Sequence, residues 1–380
     1  MITDYHIHLC YNVSMQTLHE TEEKPKKAFL VNIVTGSKSD DSIMRELRGL
    51  CKTLGLEIIA QEKVRVREKN PKYGLGTGKA EEIAQKAKDA QADLLVFDFN
   101  PNPSQQRNWE TLCDLPVIDR QELIIKIFAD RAVTREAELQ VKLAELEYLL
   151  PRLSHKYIDL SRQRGGRYGT KGAGETKLET DRRKIEKRLR QLEKEIEQIS
   201  KQRKMQRRLR EKSNVPVCAI VGYTNAGKSS LLNALTGADV LAEDKLFATL
   251  DAVTRRFEVS PGVPVLLTDT VGFIRNLPHT LIKAFRSTME EAAAADIIIH
   301  ILDASEPDIE SNYNTTIGVL NELKANEIPM ITVLNKIDKE NVNLEELINA
   351  YPESVAVSVK KGTGFDALKE KIISHIAALI

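Results

Sequence analysis

Apolar runs separated by amphipathic stretches fill the N-terminal part of the chain. Buried strands are predicted at residues 27–34, 57–66, 93–99 and 115–118. Helices are predicted at residues 40–54, 80–90 and 103–113. Strands that alternate with helices form parallel sheets covered by helices, so we expect an N-terminal α/β domain over residues 1–130.

A different pattern follows, in which apolar residues recur at intervals of four and three. The first set is Leu139, Leu143, Leu146, Leu150 and Leu153, and the second is Ile185, Leu189, Leu192, Ile196 and Ile199. This spacing places one apolar seam on each of two helices, and Pro151 lies where the first should end. We expect a long antiparallel helical hairpin over residues 131–212. The alternative is that these are two core helices of a larger domain. The polar residues that flank both apolar seams favour the hairpin.

Strand and helix patterns resume at the buried run 215–221 and continue to the C-terminus. They predict a second α/β domain over residues 213–380, joined to the hairpin by a basic linker at about 202–213.

Charge is distributed unevenly over these parts. The whole chain carries a net charge of +1, but residues 161–212 contain 19 basic and 8 acidic residues, a net charge of +11. A positively charged region between acidic ends suggests that an anionic partner binds there. The alternative is that these charges only form a solvated helical face.

The predicted tip of the hairpin, residues 161–175, holds five glycines and four basic residues. Glycine at this density predicts a mobile loop. Arginine interleaved with tyrosine suits RNA phosphates and bases, and favours RNA contact over a plain linker. The candidate RNA contacts are Arg162, Arg164, Arg167, Tyr168 and Lys171.

Several classes of protein are disfavoured. No apolar run approaches the ~18 residues of a membrane span, and the first residues lack the apolar core of a signal peptide. The four cysteines have no paired spacing, which disfavours zinc and disulfides. We therefore expect a cytoplasmic protein.

Three motifs stand at strand ends of the second α/β region. Residues 222–229 fit G-x-x-x-x-G-K-[ST] between a strand and a helix, as a phosphate-binding loop requires. Residues 269–272 fit D-x-x-G, and residues 335–338 fit N-K-x-D. The carboxylate of Asp338 can accept hydrogen bonds from the N1–H and N2–H₂ groups of guanine, a pair that adenine lacks. In this order and context, the motifs predict a GTP-binding domain.

The whole chain resembles the HflX family of ribosome-associated GTPases. The resemblance rests on residues 165–183, 222–233, 247–251 and 269–274, with the G-x-G-E-T-x-L-E-T-D-R-R stretch at 172–183 the most distinctive. It implies an N-terminal α/β domain, a helical hairpin and a Ras-like P-loop G domain. It also implies binding to the large ribosomal subunit and its RNA, and in some members the splitting of stalled ribosomes under stress. Thr249 is implied as the switch threonine that contacts Mg²⁺ and the γ-phosphate.

Together, motifs and resemblance give a set of expected site residues. The expected nucleotide contacts are Gly222, Tyr223, Thr224, Asn225, Ala226, Gly227, Lys228, Ser229, Phe247, Ala248, Thr249, Leu250, Asp251, Asp269, Thr270, Val271, Gly272, Asn335, Lys336, Ile337, Asp338, Ser358, Val359 and Lys360. The expected Mg²⁺ ligands are Ser229, Thr249 and, through water, Asp269. Lys228, Thr249 and Gly272 are the expected catalytic contacts.

Two positions depart from the usual pattern. Ras-like GTPases place a water-orienting glutamine after D-x-x-G, and here that residue is Phe273. We therefore expect slow intrinsic hydrolysis that a ribosomal partner stimulates. Arg275 is either a mobile helper or a surface residue. Asn225 either binds K⁺ beside the phosphates or caps its own loop.

Other functions remain open at this point. They are a ribosome-assembly GTPase, a coiled-coil adaptor with structural GTP, and an RNA-remodelling ATPase that uses the N-terminal domain. Residues 72–79 are a weak phosphate-loop candidate for the last, and a glycine turn before a helix fits them better. A monomer is expected, although a hairpin can also dimerise.

Overall fold

A computed structural model describes residues 25–35, 41–153, 173–211, 215–238, 243, 245–275, 277, 281 and 286–379. The predicted RNA contacts, Arg162 to Lys171, lie outside the described residues, as does most of the predicted loop at 161–175.

The N-terminal part is a four-stranded parallel sheet with helices on both faces. Its elements are β1 (Lys27–Thr35), α1 (Asp41–Thr53), β2 (Glu57–Val66), α2 (Thr77–Asp89), β3 (Leu94–Phe97), α3 (Pro103–Cys113), β4 (Val117–Asp119) and α4 (Arg120–Arg131). The strand order is β2-β1-β3-β4, and all pairs are parallel. The predicted α/β fold is confirmed here.

Helix α4 was not among the predicted helices. A local residue marks its start. The Asp119 side chain at the end of β4 accepts the Glu122 N–H at 2.8 Å and is therefore the N-cap of the helix.

Two helices form the predicted hairpin. They are α5 (Arg135–Leu149), which continues as a 3₁₀ turn (Leu150–Arg152), and α6 (Ala173–Glu211). Glu136 at the start of α5 pairs with Arg203 near the end of α6 at 2.9 Å, so the helices run antiparallel. Leu139, Leu143 and Leu146 pack in one cluster with Ile185 and Leu192, as the four-and-three spacing predicts.

Helix α6 is longer at both ends than the sequence suggested. The expected linker at 202–213 is helical as far as Glu211, and the expected loop ends before Ala173. The linker prediction was wrong because Lys, Arg, Gln and Glu are good helix formers, and their charge alone does not end a helix.

The C-terminal part is a six-stranded sheet. Its elements are β5 (Val217–Gly222), α7 (Lys228–Thr236), β6 (Val253–Ser260), β7 (Val263–Asp269), α8 (Arg286–Ala293), β8 (Ile297–Asp303), α9 (Ile309–Glu322), β9 (Met330–Asn335), α10 (Leu344–Ala350), β10 (Val355–Ala356) and α11 (Phe365–Leu379). The order is β10-β9-β8-β5-β7-β6. Only β6 runs antiparallel, joined to β7 by a tight turn at Gly262. We call described residues from 215 onward the nucleotide domain.

One apolar core connects the parts of the molecule. A single cluster includes Leu30 of β1, Phe128 of α4, Leu143 of α5 and Ile298 of β8. The far face of each sheet has its own cluster, around Trp109 in the N-terminal part and Leu267 in the nucleotide domain. The three parts therefore pack on one another through a shared core, and the exact domain boundaries stay predictions.

Within the part of the chain that the structure describes, no helix has the length and apolar character needed to cross a bilayer.

Candidate nucleotide site

The phosphate-binding loop lies where β5 ends and α7 begins. Gly227 has φ of 99°, and a Cβ atom there would lie 2.4 Å from the Asn335 amide nitrogen, so only glycine fits. Lys228 is buried, and its Nζ donates to the Tyr223 carbonyl at 2.9 Å. Burial lowers the pKa of Lys228 to about 8. Its ammonium is thus held at the loop with few protein partners, ready for a phosphate.

Three oxygen-bearing side chains meet beside this loop. Asp269 at the end of β7 accepts from Ser229 Oγ at 2.6 Å and from Thr249 Oγ1 at 2.9 Å, through the same carboxylate oxygen. Its other oxygen, Oδ1, is buried and has no hydrogen-bond partner among the described residues. Burial raises the pKa of Asp269, while Lys228 and the two hydroxyls act in the opposite direction.

This donor set fits Mg²⁺. Magnesium prefers oxygen ligands, usually one or two carboxylates together with hydroxyls, waters and substrate phosphates. The pair of hydroxyls and the carboxylate oxygen that is free among the described residues match that preference. The sequence motifs pointed to Ser229 and Asp269, and the family resemblance implied Thr249.

Gly272 closes the pocket opposite the phosphate-binding loop. A Cβ atom there would lie 2.9 Å from Thr224 Cα and 2.8 Å from Lys228 Nζ. The next residue, Phe273, is buried and pairs with the loop backbone, since its N–H donates to the Gly222 carbonyl at 3.1 Å and its carbonyl accepts from the Thr224 N–H. Phe273 therefore braces the loop and presents no group that could orient a water molecule.

The base-binding end is assembled from two strand ends. The Asn335 side chain donates to the Ala226 carbonyl at 2.9 Å and accepts the Val359 N–H at 3.2 Å, which ties the phosphate-binding loop to the segment after β10. Ser358 Oγ donates to Asp338 at 2.6 Å. This hydrogen bond lowers the pKa of Asp338 and keeps it an acceptor-only carboxylate.

Lys336, the second residue of the N-K-x-D motif, has two partners within the site. Its Nζ donates to the Asn225 carbonyl at 2.8 Å and pairs with Asp303 at 2.7 Å. The lysine thus also fastens the phosphate-binding loop to the end of β8.

The structure brings nine of the 24 predicted nucleotide contacts to the wall of one pocket. The residues lining it are Thr224, Asn225, Gly227, Lys228, Ser229, Ser230, Glu243, Lys245, Phe247, Ala248, Thr249 and Gly272. Ser230, Glu243 and Lys245 were not predicted. Ser230 directly follows the motif, whereas Glu243 and Lys245 belong to no motif and could not be found from local sequence.

Other predicted residues lie next to the pocket and point elsewhere. Leu250 and Val271 are in the shared core, and Thr270 donates to the Ile220 carbonyl at 2.7 Å. Tyr223 hydrogen-bonds to Glu46 of α1, and the Asp251 carboxylate binds the start of α5. These side chains support the site from behind.

Arg275 faces the N-terminal part of the chain. Its side chain donates to Ser42 of α1 and, at 3.3 Å, to Asn312 of α9. Its carbonyl accepts from Arg120 of α4 at 3.1 Å. The alternative of a mobile helper in hydrolysis is therefore not supported, since the guanidinium is held at the contact between α1 and α9.

The phosphate-binding loop, the guanine-type base site and the sheet order define a P-loop GTPase. Chains named GTPase HflX match most of this sequence: one from Akkermansia muciniphila is 46% identical over 91% of this chain and 84% of its own length. Another from Treponema denticola is 45% identical over 94% of this chain and 99% of its own length. The chain belongs to the HflX family of GTPases.

Family models and a solved structure agree with this. Models described as GTP-binding GTPase N-terminal, GTP-binding GTPase Middle Region and 50S ribosome-binding GTPase match residues 41–129, 131–210 and 217–336. A GTP-binding protein from Sulfolobus solfataricus, solved in complex with GDP, is 23% identical, with a TM-score of 0.50 over 93% of this chain and 100% of its own. At that identity the likeness shows the fold alone.

Proposed function

We propose that this GTPase binds the large ribosomal subunit and uses GTP hydrolysis as a switch between docking and release. The observation that carries the proposal is helix α6, which bears 14 basic and 8 acidic residues over 173–211 and packs directly on the nucleotide domain. RNA phosphates would meet this positive helix, and the affinity should fall steeply with salt. The description of the matched C-terminal model, a 50S ribosome-binding GTPase, supports the same partner.

In the proposed reaction, the loop amides and Lys228 hold the phosphates, while Asp338 and Asn335 hold guanine. Ser229, Thr249 and Asp269 would hold Mg²⁺, which supplies positive charge against the phosphate oxygens. The Gly272 amide would meet the γ-phosphate. Thr249 and Gly272 would thus be ordered by GTP and released after hydrolysis.

Hydrolysis by the isolated protein should be slow. Phe273 stands in place of the usual glutamine, and Arg275 is engaged at another contact. We propose that the missing catalytic group is supplied or positioned when the ribosome binds.

Asn225 is proposed as a K⁺ ligand beside the phosphates. It lines the pocket with a left-handed backbone, φ 62°, and its carbonyl is already used by Lys336. A monovalent cation there could add charge that an arginine supplies in other GTPases. The alternative is that the asparagine only stabilises its own loop. Equal hydrolysis rates in K⁺ and Na⁺ would remove the cation proposal.

The main experiment measures single-turnover GTP hydrolysis with and without purified large ribosomal subunits, at physiological K⁺ and Mg²⁺. A large stimulation is expected. Deleting residues 163–174 should reduce the stimulation and leave GTP affinity unchanged. No stimulation by mature subunits, together with stimulation by precursor particles, would replace the proposal with the ribosome-assembly alternative.

Two further alternatives have their own outcomes. A coiled-coil adaptor with structural GTP would bind nucleotide tightly and show no turnover even with ribosomes. An N-terminal ATPase would hydrolyse ATP in a full-length Lys228→Ala variant, whose GTP site is disabled.

A further inference from the structure

The segment 246–251 crosses from the nucleotide pocket to the N-terminal part of the chain. Phe247 is 2% exposed, and its ring packs edge-to-face on Phe128 of α4 with 4.7 Å between centroids. The backbone N–H of Leu246 donates to Thr53 Oγ1 of α1 at 3.2 Å. The beginning of this segment is therefore attached to α1 and α4 of the N-terminal part.

The end of the segment is fixed by a different helix. The Asp251 carboxylate accepts the Thr134 hydroxyl, the Thr134 N–H at 3.2 Å and the Val133 N–H at 3.4 Å. Thr134 is the N-cap of α5, and its own Oγ1 accepts the Ala137 N–H at 3.2 Å. A carboxylate at this position is favoured by the N-terminal end of the helix dipole.

Thr249 lies between these two attachments. It is two residues from Phe247 and two residues from Asp251, a reach of about 7 Å in each direction. Its hydroxyl is already beside Ser229 Oγ, at 2.6 Å, and beside Asp269 Oδ2, at 2.9 Å. The attachments on both sides restrict how far this hydroxyl can move from the Mg²⁺ ligands.

We infer that Asp251 and Thr134 form a positioning pair that holds Thr249 ready for Mg²⁺ and the γ-phosphate. The inference rests on the proposed role of Thr249. A mobile threonine would have to be ordered when GTP binds, and the apparent affinity would be reduced by the fraction of molecules in which it is misplaced. Contacts with α5 and α4 already order Thr249 before GTP binds, so less conformational entropy is lost on binding. GDP has no γ-phosphate, so its affinity should not depend on the pair.

The pair also links the pocket to the hairpin. Thr134 begins α5, the arm that leads toward the basic residues 161–175. A shift of α5 would move the attachment of Asp251, and Thr249 with it. By reciprocity, GTP bound at Thr249 would favour one position of α5.

The experiment compares Asp251→Ala, Thr134→Val and the double variant in the full-length protein. Affinities for GDP and for a non-hydrolysable GTP analogue are measured in excess Mg²⁺. Thr134→Val removes one of the three hydrogen bonds to the Asp251 carboxylate and should weaken analogue binding by roughly tenfold, the size expected for losing one charge-assisted hydrogen bond. Asp251→Ala removes all three and should weaken analogue binding by at least as much. GDP affinity should stay within about twofold. The double variant should lose little more than Asp251→Ala, because that change already removes the hydrogen bond that Thr134→Val breaks.

Arg45→Met is the matched control. Arg45 also joins α1 to the nucleotide domain, through Glu306 at 3.5 Å, but touches no residue of 246–251. It should change neither affinity. Amide hydrogen exchange of 246–251 in the nucleotide-free protein should accelerate in Asp251→Ala and Thr134→Val and stay unchanged in Arg45→Met.

A Thr249→Ala variant separates the two levels of the inference. If Thr249→Ala weakens analogue binding while Asp251→Ala and Thr134→Val do not, the positioning pair is refuted and the proposed role of Thr249 stands. If Thr249→Ala has no effect either, the proposed role of Thr249 fails and the pair fails with it. Equal losses for GDP and the analogue in Asp251→Ala would reduce Asp251 to a structural cap and overturn the inference.

Discussion

The two sheets of this protein use their carboxyl ends in opposite ways. In the N-terminal sheet, Asp98 pairs with Arg120 at 2.9 Å, and Asp119 accepts from Tyr148 and Arg152. In the other sheet, Asp269 keeps one buried oxygen without a partner among the described residues. Among the described residues, Lys228 donates to one backbone carbonyl, that of Tyr223. The edge of the N-terminal sheet is closed by ion pairs. At the edge of the other sheet Lys336 pairs with Asp303, but Lys228 and one oxygen of Asp269 stay available for a ligand.

The difference shows that glycines and a lysine do not by themselves make a phosphate site. Residues 72–76 form the expected glycine turn, with Gly74 at φ of 79°, and residues 77–79 are the first turn of α2. Tyr73 packs on Trp109, and Lys79 is paired with Glu62 at 3.0 Å and Glu82 at 2.8 Å. A lysine held by two carboxylates is poorly placed to bind a phosphate. What distinguishes the nucleotide site is that, among the described residues, Lys228 is bound by a backbone carbonyl and not by carboxylates, and Asp269 Oδ1 accepts no hydrogen bond.

The sharpest test compares the two lysines. Lys228→Ala should lower GTP hydrolysis by roughly 1,000-fold, because it removes the charge held against the phosphates. Lys79→Ala removes only partly exposed ion pairs and should leave hydrolysis unchanged. Single-turnover assays on both variants measure the contrast. A large loss in Lys79→Ala would contradict the distinction between the two edges.

Base selection should show the next largest effect. Asp338→Asn should weaken GTP binding by roughly 100-fold, because an amide cannot accept from both guanine donors. Xanthosine triphosphate should gain affinity, since its C2 oxygen can accept from the new amide. Competition binding with both nucleotides provides the measurement. Glu340→Gln, an exposed neighbour, is the control and should behave as the unmodified protein.

An alanine in place of glycine should act differently at the two sheets. Gly272→Ala would place a Cβ atom 2.9 Å from the backbone of Thr224. Binding of a GTP analogue should weaken by roughly tenfold, and more than binding of GDP, because the Gly272 amide is proposed to meet the γ-phosphate. Gly78→Ala meets nothing within 4 Å in α2. It should stabilise the protein by about 0.5–1 kcal/mol in thermal unfolding. Equal effects on GDP and the analogue would argue against γ-phosphate contact by Gly272.

The smallest effect is expected at Ser358. Ser358→Ala removes the hydrogen bond to Asp338, at 2.6 Å, and should weaken nucleotide binding by roughly threefold to tenfold. GTP and GDP should be affected equally, because they share the base. A selective loss of GTP binding would mean that Ser358 acts on the phosphates.

The elements that sequence predicted well have local signals. Strands with buried apolar runs and the residues at their ends, such as Asp269 and Asn335, were found because a parallel sheet places strand ends at one edge. The edge strand β6 was missed because its residues alternate weakly and one side of it is exposed.

The contacts between parts of the chain could not be predicted in the same way. Phe247 and Asp251 were assigned to the nucleotide, but their side chains meet Phe128 and Thr134, more than one hundred residues away in sequence. Neither periodicity nor motif spacing carries information on such a pairing. Arg275 was ambiguous for the same reason, since its partners lie on α1 and α9.

The continuous core has a consequence for how the chain is made. Phe128 leaves the ribosome long before its partner Phe247, which is synthesised about 120 residues later, on the order of ten seconds at typical elongation rates. During that interval, the face of α4 and α5 that the nucleotide domain will cover is exposed to solvent. The nascent N-terminal part should therefore be a substrate for chaperones that bind apolar surfaces, and its folding should be completed only after the second sheet has been synthesised.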